Sequence, residues 1–96
     1  MKIAVTYENG QVFQHFGHTE QFKIYEAAEG KVVSARVVET GGSGHGALAG
    51  FLRGLGVDTL ICGGIGGGAR SALAEAGIQL YPGASGSADA QVEALL

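Results

Sequence analysis

Apolar positions along the chain fall into short runs separated by glycine-containing breaks, and the runs change character from one end to the other. Lys2 to Tyr7 (KIAVTY) is apolar without strict alternation, the pattern of a central strand covered on both faces. Glu8-Asn9-Gly10 is a turn signal, and Gln11 to Glu20 has no sustained period, which predicts a loop with short strand pieces. Gln21 to Ala27 and Lys31 to Thr40, rich in Val, Ile, Phe and Tyr, predict two strands joined by a hairpin turn at Glu29-Gly30. Leu48, Phe51, Leu52 and Leu55 then follow the i, i+3, i+4, i+7 spacing of a helix face. This helix is expected to start near Ser43 to Gly46 and to stop near Gly54 or Gly56. Val57 to Cys62 is a second buried-type strand, Ala69 to Ala76 a helix stopped by Gly77, and Ile78 to Tyr81 a strand ended by Pro82. Ser87 can cap a last helix with Asp89 in its first turn and Ala88, Val92 and Leu95 on one face.

The order β-β-β-α-β-α-β-α lets the first three strands form an antiparallel meander, whereas the later ones need helical crossovers. Right-handed crossovers put the first two helices on one face and leave the other face to the last helix. The predicted fold is therefore a three-layer α/β/α sandwich in a single domain, residues 1–96. Its sheet is five-stranded and mixed, in the order third-second-first-fourth-fifth, with Ile3, Val5, Leu60 and Ile61 in the core. In this topology the loops after Tyr7, Thr40 and Cys62 open on one edge, which would carry His15, His18, His45 and Cys62. Ligands of open α/β sheets usually bind at the carboxyl ends of strands, so that edge is the first candidate for function.

Composition narrows the classes. Apolar residues make up 46% of the chain against 16% charged, enough to close a core and too little charge for a disordered tail. The formal charge of −3 comes with no run of Lys or Arg, which excludes the electrostatic footprint of a nucleic-acid binder. No apolar stretch approaches the ~20 residues that span a bilayer, and Met1-Lys2 leads into a strand; a cytoplasmic protein without a membrane partner is expected. The lone cysteine, Cys62, cannot form an intramolecular disulfide, in keeping with a reducing compartment. Glycine, at 18 of 96 residues, is more than twice its usual share of about 7%, so the loops need unusual backbone freedom or close approach.

Four places carry candidate chemistry. His15-Phe16-Gly17-His18 sets two imidazoles three apart, able to reach one metal or cluster, or else simply two solvent-exposed histidines. His45 sits between Gly44 and Gly46 at a helix start, where unpaired N–H groups favour anions; otherwise it is a cap or surface residue. Cys62 ends a buried-type strand and is a core residue unless the following helix N-terminus makes it a metal-binding thiolate. Gly64, Gly66 and Ala69 fit a relaxed G-x-G-x-x-A pattern. The motif lies on the fourth strand and no ribose-binding acid ends the next one, so an anion-receptive loop is the reading kept instead of a dinucleotide site. A Cys–His pair lacks a fixed base and orienting group, and Glu8, Glu20, Glu26, Glu39, Asp58 and Glu75 are scattered, so no catalytic constellation is expected.

Four segments together, KIAVTYENGQV, HFGHTEQFKIYE, the GHG loop before a helix, and VDTLICGGIGGGARSALAEAGIQLY, resemble the dinitrogenase iron-molybdenum cofactor biosynthesis family, domains of the NifX and NafY type. The likeness covers nearly the whole chain and is most telling at His15-Phe16-Gly17. It implies a ribonuclease H-like fold without nuclease carboxylates, and a role in nitrogen fixation or related assembly: binding iron–molybdenum cofactor or its iron–sulfur precursor and passing it to cluster-assembly or acceptor proteins. The family histidine that meets the cofactor matches His15 in context, with His18 and His45 as lesser contributors, and His15, His45 and Cys62 are the candidate metal ligands. Gly17, Gly64 and Gly66 complete the expected cofactor site. The loop from Gln11 to Thr19 is expected to be loose without ligand and to close over a bulky cluster. The competing class is a small regulatory or interaction domain binding an anionic ligand or a protein partner.

Overall fold

A computed structural model describes residues 1–41 and 47–96. The predicted helix start at Ser43 to Gly46, and His45 with it, lies outside the described residues. The chain runs β1 (Lys2–Glu8), β2 (Gln11–Val12), a 3-10 turn (Phe16–His18), β3 (Gln21–Ala28), β4 (Lys31–Glu39), α1 (Leu48–Gly54), β5 (Thr59–Ile61), α2 (Gly67–Glu75), β6 (Gln79–Tyr81) and α3 (Ala88–Leu95).

The sheet is mixed, with the path β4-β3-β1-β5-β6. β1 pairs antiparallel with β3 and β3 with β4, while β5 lies parallel to β1 and β6 parallel to β5. That path is the order expected of the five longer strands, but the sheet has six, because β2 adds an antiparallel pair to β1. Asn9 (φ 49°) and Gly10 (φ 83°) make the tight turn that folds β2 back, with Glu8 opposite Gln11. Positive φ at both central residues matches the right-handed twist of the flanking strands, and Glu29 and Gly30 repeat the device between β3 and β4.

Two apolar layers flank the sheet. Ala4, Phe22, Ile24, Leu60 and Cys62 pack with Leu48 and Leu52 of α1 and Leu73 of α2. On the opposite face, Ile3, Val5, Tyr25 and Ile61 pack with Ala88 and Val92 of α3. Successive residues of β1 and β5 thus feed opposite layers, which is why their sequences lack alternation. All four predicted core residues, Ile3, Val5, Leu60 and Ile61, are buried. The edge strand β4 is exposed along nearly its whole length, with Val33 65% and Val37 44% exposed. Its register shifts opposite Glu26 and Ala27, leaving Val33 without a cross-strand partner. No helix among the described residues is long and apolar enough to cross a membrane.

The last helix is tied down by charge as well as packing. Ser87 caps it, its hydroxyl oxygen accepting from the Ala90 N–H at 3.2 Å. Asp89 accepts from Lys23 at 2.9 Å and from the Tyr25 hydroxyl at 2.6 Å. These donors hold the Asp89 carboxyl below its ordinary value of 3.8. A depressed folded-state pKa contributes stability above the unfolded value, and that contribution drains away as pH falls through the folded one. Asp89→Asn should therefore melt earlier than wild type at neutral pH and alongside it in strong acid. Thermal melts across that range check the convergence.

Candidate functional site

The glycine turn after β1 sends the chain through β2 and then across the carboxyl end of β5. Two hydrogen bonds fasten it there: the Gly64 N–H donates to the Gln14 carbonyl at 2.6 Å, and the Phe16 N–H to the Gly64 carbonyl at 3.0 Å. His15 and Gly64 thereby form a parallel β-bridge. Further along, the Val12 N–H reaches the Gly86 carbonyl and the Phe13 N–H the Thr6 carbonyl, both at 2.8 Å. Against the expectation of a loose Gln11 to Thr19 segment, the structure shows non-local backbone bonds and a buried Phe16 side chain holding it to the sheet.

Phe16 is 1% exposed and faces Phe22 at 6.1 Å between ring centroids. With Phe16 turned into the core, His15 and His18 stand outward, both exposed. Their rings lie 6.4 Å apart at 82°, and Phe13 meets the other side of His15 at 6.2 Å and 77°. The 3-10 turn explains this, since residues three apart eclipse in that geometry. Gly17, half-buried between them, lines a hollow of about 450 Å³ with His18, Glu20, Glu39 and Thr40.

On the β5 side of His15 the surface is backbone. Gly64 and Gly66 are exposed, and α2 begins at Gly67 with no side chain capping its first-turn N–H groups. A Cβ at Gly66, Gly67 or Gly68 would meet nothing within 4 Å, and none of the three has a positive φ. Neither crowding nor conformation demands glycine there; at Gly67 and Gly68, inside the helix, glycine is unfavourable relative to alanine, whereas at the N-cap Gly66 it is the better of the two. What glycine provides is an open peptide surface beside His15.

Cys62 departs from expectation. Its side chain is 0% exposed, enclosed with Leu60, Phe16 and Leu73, so the expected access from the Gly63 to Gly68 loop is absent. Burial pushes its thiol up to about 11, outweighing the opposite pull of Arg70. The lowered thiolate pKa expected from the nearby helix start is thus reversed, and packing accounts for Cys62. Native Cys62 should resist an aromatic disulfide reagent at neutral pH and react fully only after denaturant unfolding; fast native labelling would contradict its enclosure. The structure thus brings His15, Gly17, His18, Gly64 and Gly66 to one edge and leaves Cys62 beneath them. Among the described residues no group of three or more His, Cys, Asp or Glu is placed to hold a bare metal ion.

One feature escaped the sequence reading. Glu8, Glu20 and Glu39, scattered along the chain, line a second hollow of about 300 Å³ with Tyr7 and Phe13, and Glu20 and Glu39 border the hollow at His18 as well. Strand direction is the signal that could have found it, because in a meander the ends of β1 and β4 and the start of β3 share one edge. These carboxylates make the β3–β4 flank of the histidines repel anions. The uncapped amides of α2 make the β5 flank attract them.

The exposed imidazoles and the bare peptide surface meet at one edge of an open, mixed α/β sheet. The whole chain, residues 1–96, matches the family profile described as dinitrogenase iron-molybdenum cofactor. It is 40% identical over 87 residues to the FeMo cofactor biosynthesis protein NifB of Sinorhizobium fredii, a match covering 82% of this chain and 18% of that much longer protein. The crystal structure of PH0822 superposes with a TM-score of 0.94 at 26% identity, covering 99% of this chain and 88% of that one. The apo form of the orange protein from Desulfovibrio gigas gives a TM-score of 0.77 at 31% identity over 90% of this chain and 78% of that one. The chain belongs to the dinitrogenase iron-molybdenum cofactor family.

Proposed function

We propose that this domain binds an iron–sulfur or iron–molybdenum cluster, or its precursor, and hands it on during metallocofactor assembly, as a cytoplasmic carrier and not as an enzyme. The observation that carries the reading is the exposed His15 imidazole, bridged through its backbone to Gly64 and standing beside glycines that the fold does not require. A neutral imidazole supplies one bond to iron or molybdenum. Backbone N–H groups at Gly66 to Gly68 suit the sulfides and any carboxylate of the same ligand. The acidic flank formed by Glu8, Glu20 and Glu39 steers a polyanion toward the glycine side. So few ligands give an affinity that an acceptor protein can overcome. His18 and His45 are secondary contributors in this reading. The family resemblance adds the expectation of a ribonuclease H-like fold, and the kinship with a FeMo cofactor biosynthesis protein supports nitrogen fixation as the setting.

Anaerobic incubation with isolated iron–molybdenum cofactor, or with ferrous iron and sulfide, tests the proposal. Sulfide-to-metal charge-transfer absorption that stays with the protein through gel filtration is the expected result. A chain that elutes colourless from both incubations would leave the regulatory or interaction reading in its place.

A further inference from the structure

The rim just described joins two segments that are far apart in sequence, the loop after β2 and the loop after β5. Gln14 is where they touch. Its carbonyl accepts from the Gly64 N–H at 2.6 Å. Its side-chain amide, although exposed, donates to two backbone carbonyls, Val12 at 3.2 Å and Ala84 at 3.1 Å. The same side chain lies across Gly63: a Cβ there would fall 2.7 Å from Gln14 Oε1, 2.9 Å from Cδ and 2.8 Å from the backbone Cα. Gly63 has no positive φ, so close approach alone requires glycine at this position. An exposed glutamine ordinarily keeps its rotamer freedom, and one held by two carbonyls of different segments has given it up.

We infer that Gln14 is the positioning residue of the cluster rim, a latch that closes over Gly63 and holds His15 beside the open glycines before any ligand arrives. The inference rests on the cluster-binding reading and adds a pre-organised site to it, in which the ordering entropy of the loop is already spent in the apo protein. Gln14 itself touches no ligand in this scheme; it acts through His15.

Two variants and two measurements test the latch. Gln14→Ala removes both side-chain bonds, and Gly63→Ala drives a methyl group into the Gln14 backbone. In each, amide exchange at Gly64 and Phe16 should accelerate by roughly tenfold or more, while Ile3, Val5 and Leu60 keep their protection, showing that the sheet is intact. Affinity for isolated iron–molybdenum cofactor should fall by about tenfold, within the range seen when a supporting residue behind a metal ligand is lost. On a His15→Ala background the Gln14→Ala change should add little, since a residue acting through His15 is not additive with its loss. Unchanged Gly64 and Phe16 exchange in both variants would overturn the latch, as would fully additive losses of affinity. If wild type takes up no cofactor, the binding reading fails instead, and the exchange data alone decide whether Gln14 holds the loop.

Discussion

Replacing His15 with alanine should reduce uptake of isolated iron–molybdenum cofactor by tenfold or more and leave folding stability within about 0.5 kcal/mol of wild type. The separation follows from geometry. The fastening of the loop runs through the backbone of Gln14 and Phe16 and through the Phe16 ring, none of which the substitution removes. The imidazole is exposed, and its ring neighbours Phe13 and His18 approach only by their edges. What is lost is an exposed imidazole on the residue bridged to Gly64. His18→Ala should have the smaller effect, because His18 stands on the side of Glu20 and Glu39, whose charge disfavours an anionic cluster. Equal uptake by wild type and His15→Ala would remove His15 from the site. A large fall in melting temperature would make it a structural residue.

Phe16→Ala should do the reverse, costing about 3–5 kcal/mol, the usual range for emptying a fully buried phenylalanine site. Phe16 is 1% exposed and packs in the layer that holds Phe22, Leu48 and Cys62. At about 4–8 °C per kcal/mol for a domain of this size, the melting temperature should drop by more than about 12 °C. The loss also frees the loop that carries both histidines, so cluster uptake should fall with stability. Phe16→Leu refills most of the space and should restore both together. Uptake that stays absent in a Phe16→Leu protein of near wild-type stability would mean that the ring does more than anchor the loop.

Much of the architecture was legible because it depends on local signals. The apolar runs of β1 and β5, the Glu29-Gly30 turn and the glycine stops near Gly56 and Gly77 each declare themselves within a few residues. Crossover handedness then leaves few ways to order the sheet. β2 falls among the short strand pieces expected within Gln11 to Glu20, but two residues are too few to show a period and it was not counted in the sheet. The anchoring of Gln11 to Thr19 escaped because its partners, Gly64 and Gly86, lie far along the chain and leave no local mark. Cys62 could have been placed by parity: it follows Leu60 by two, so both point into the layer beneath α1 and α2. Placing it at a strand end had drawn attention to the loop beyond it instead. His15 and His18 were legible as a pair, but their common outward direction depends on Phe16 turning inward.

The unpartnered Val33 bears on how the protein behaves at high concentration. A nine-residue edge strand carrying exposed valines is a template on which another chain's strand could grow. One surplus residue opposite Glu26 and Ala27 breaks the spacing of the outward amides and carbonyls, so an incoming strand finds only a short ladder to join. Deleting Val33 would make the edge continuous from Lys31 to Glu39, and the shortened protein should scatter light at concentrations where wild type stays clear.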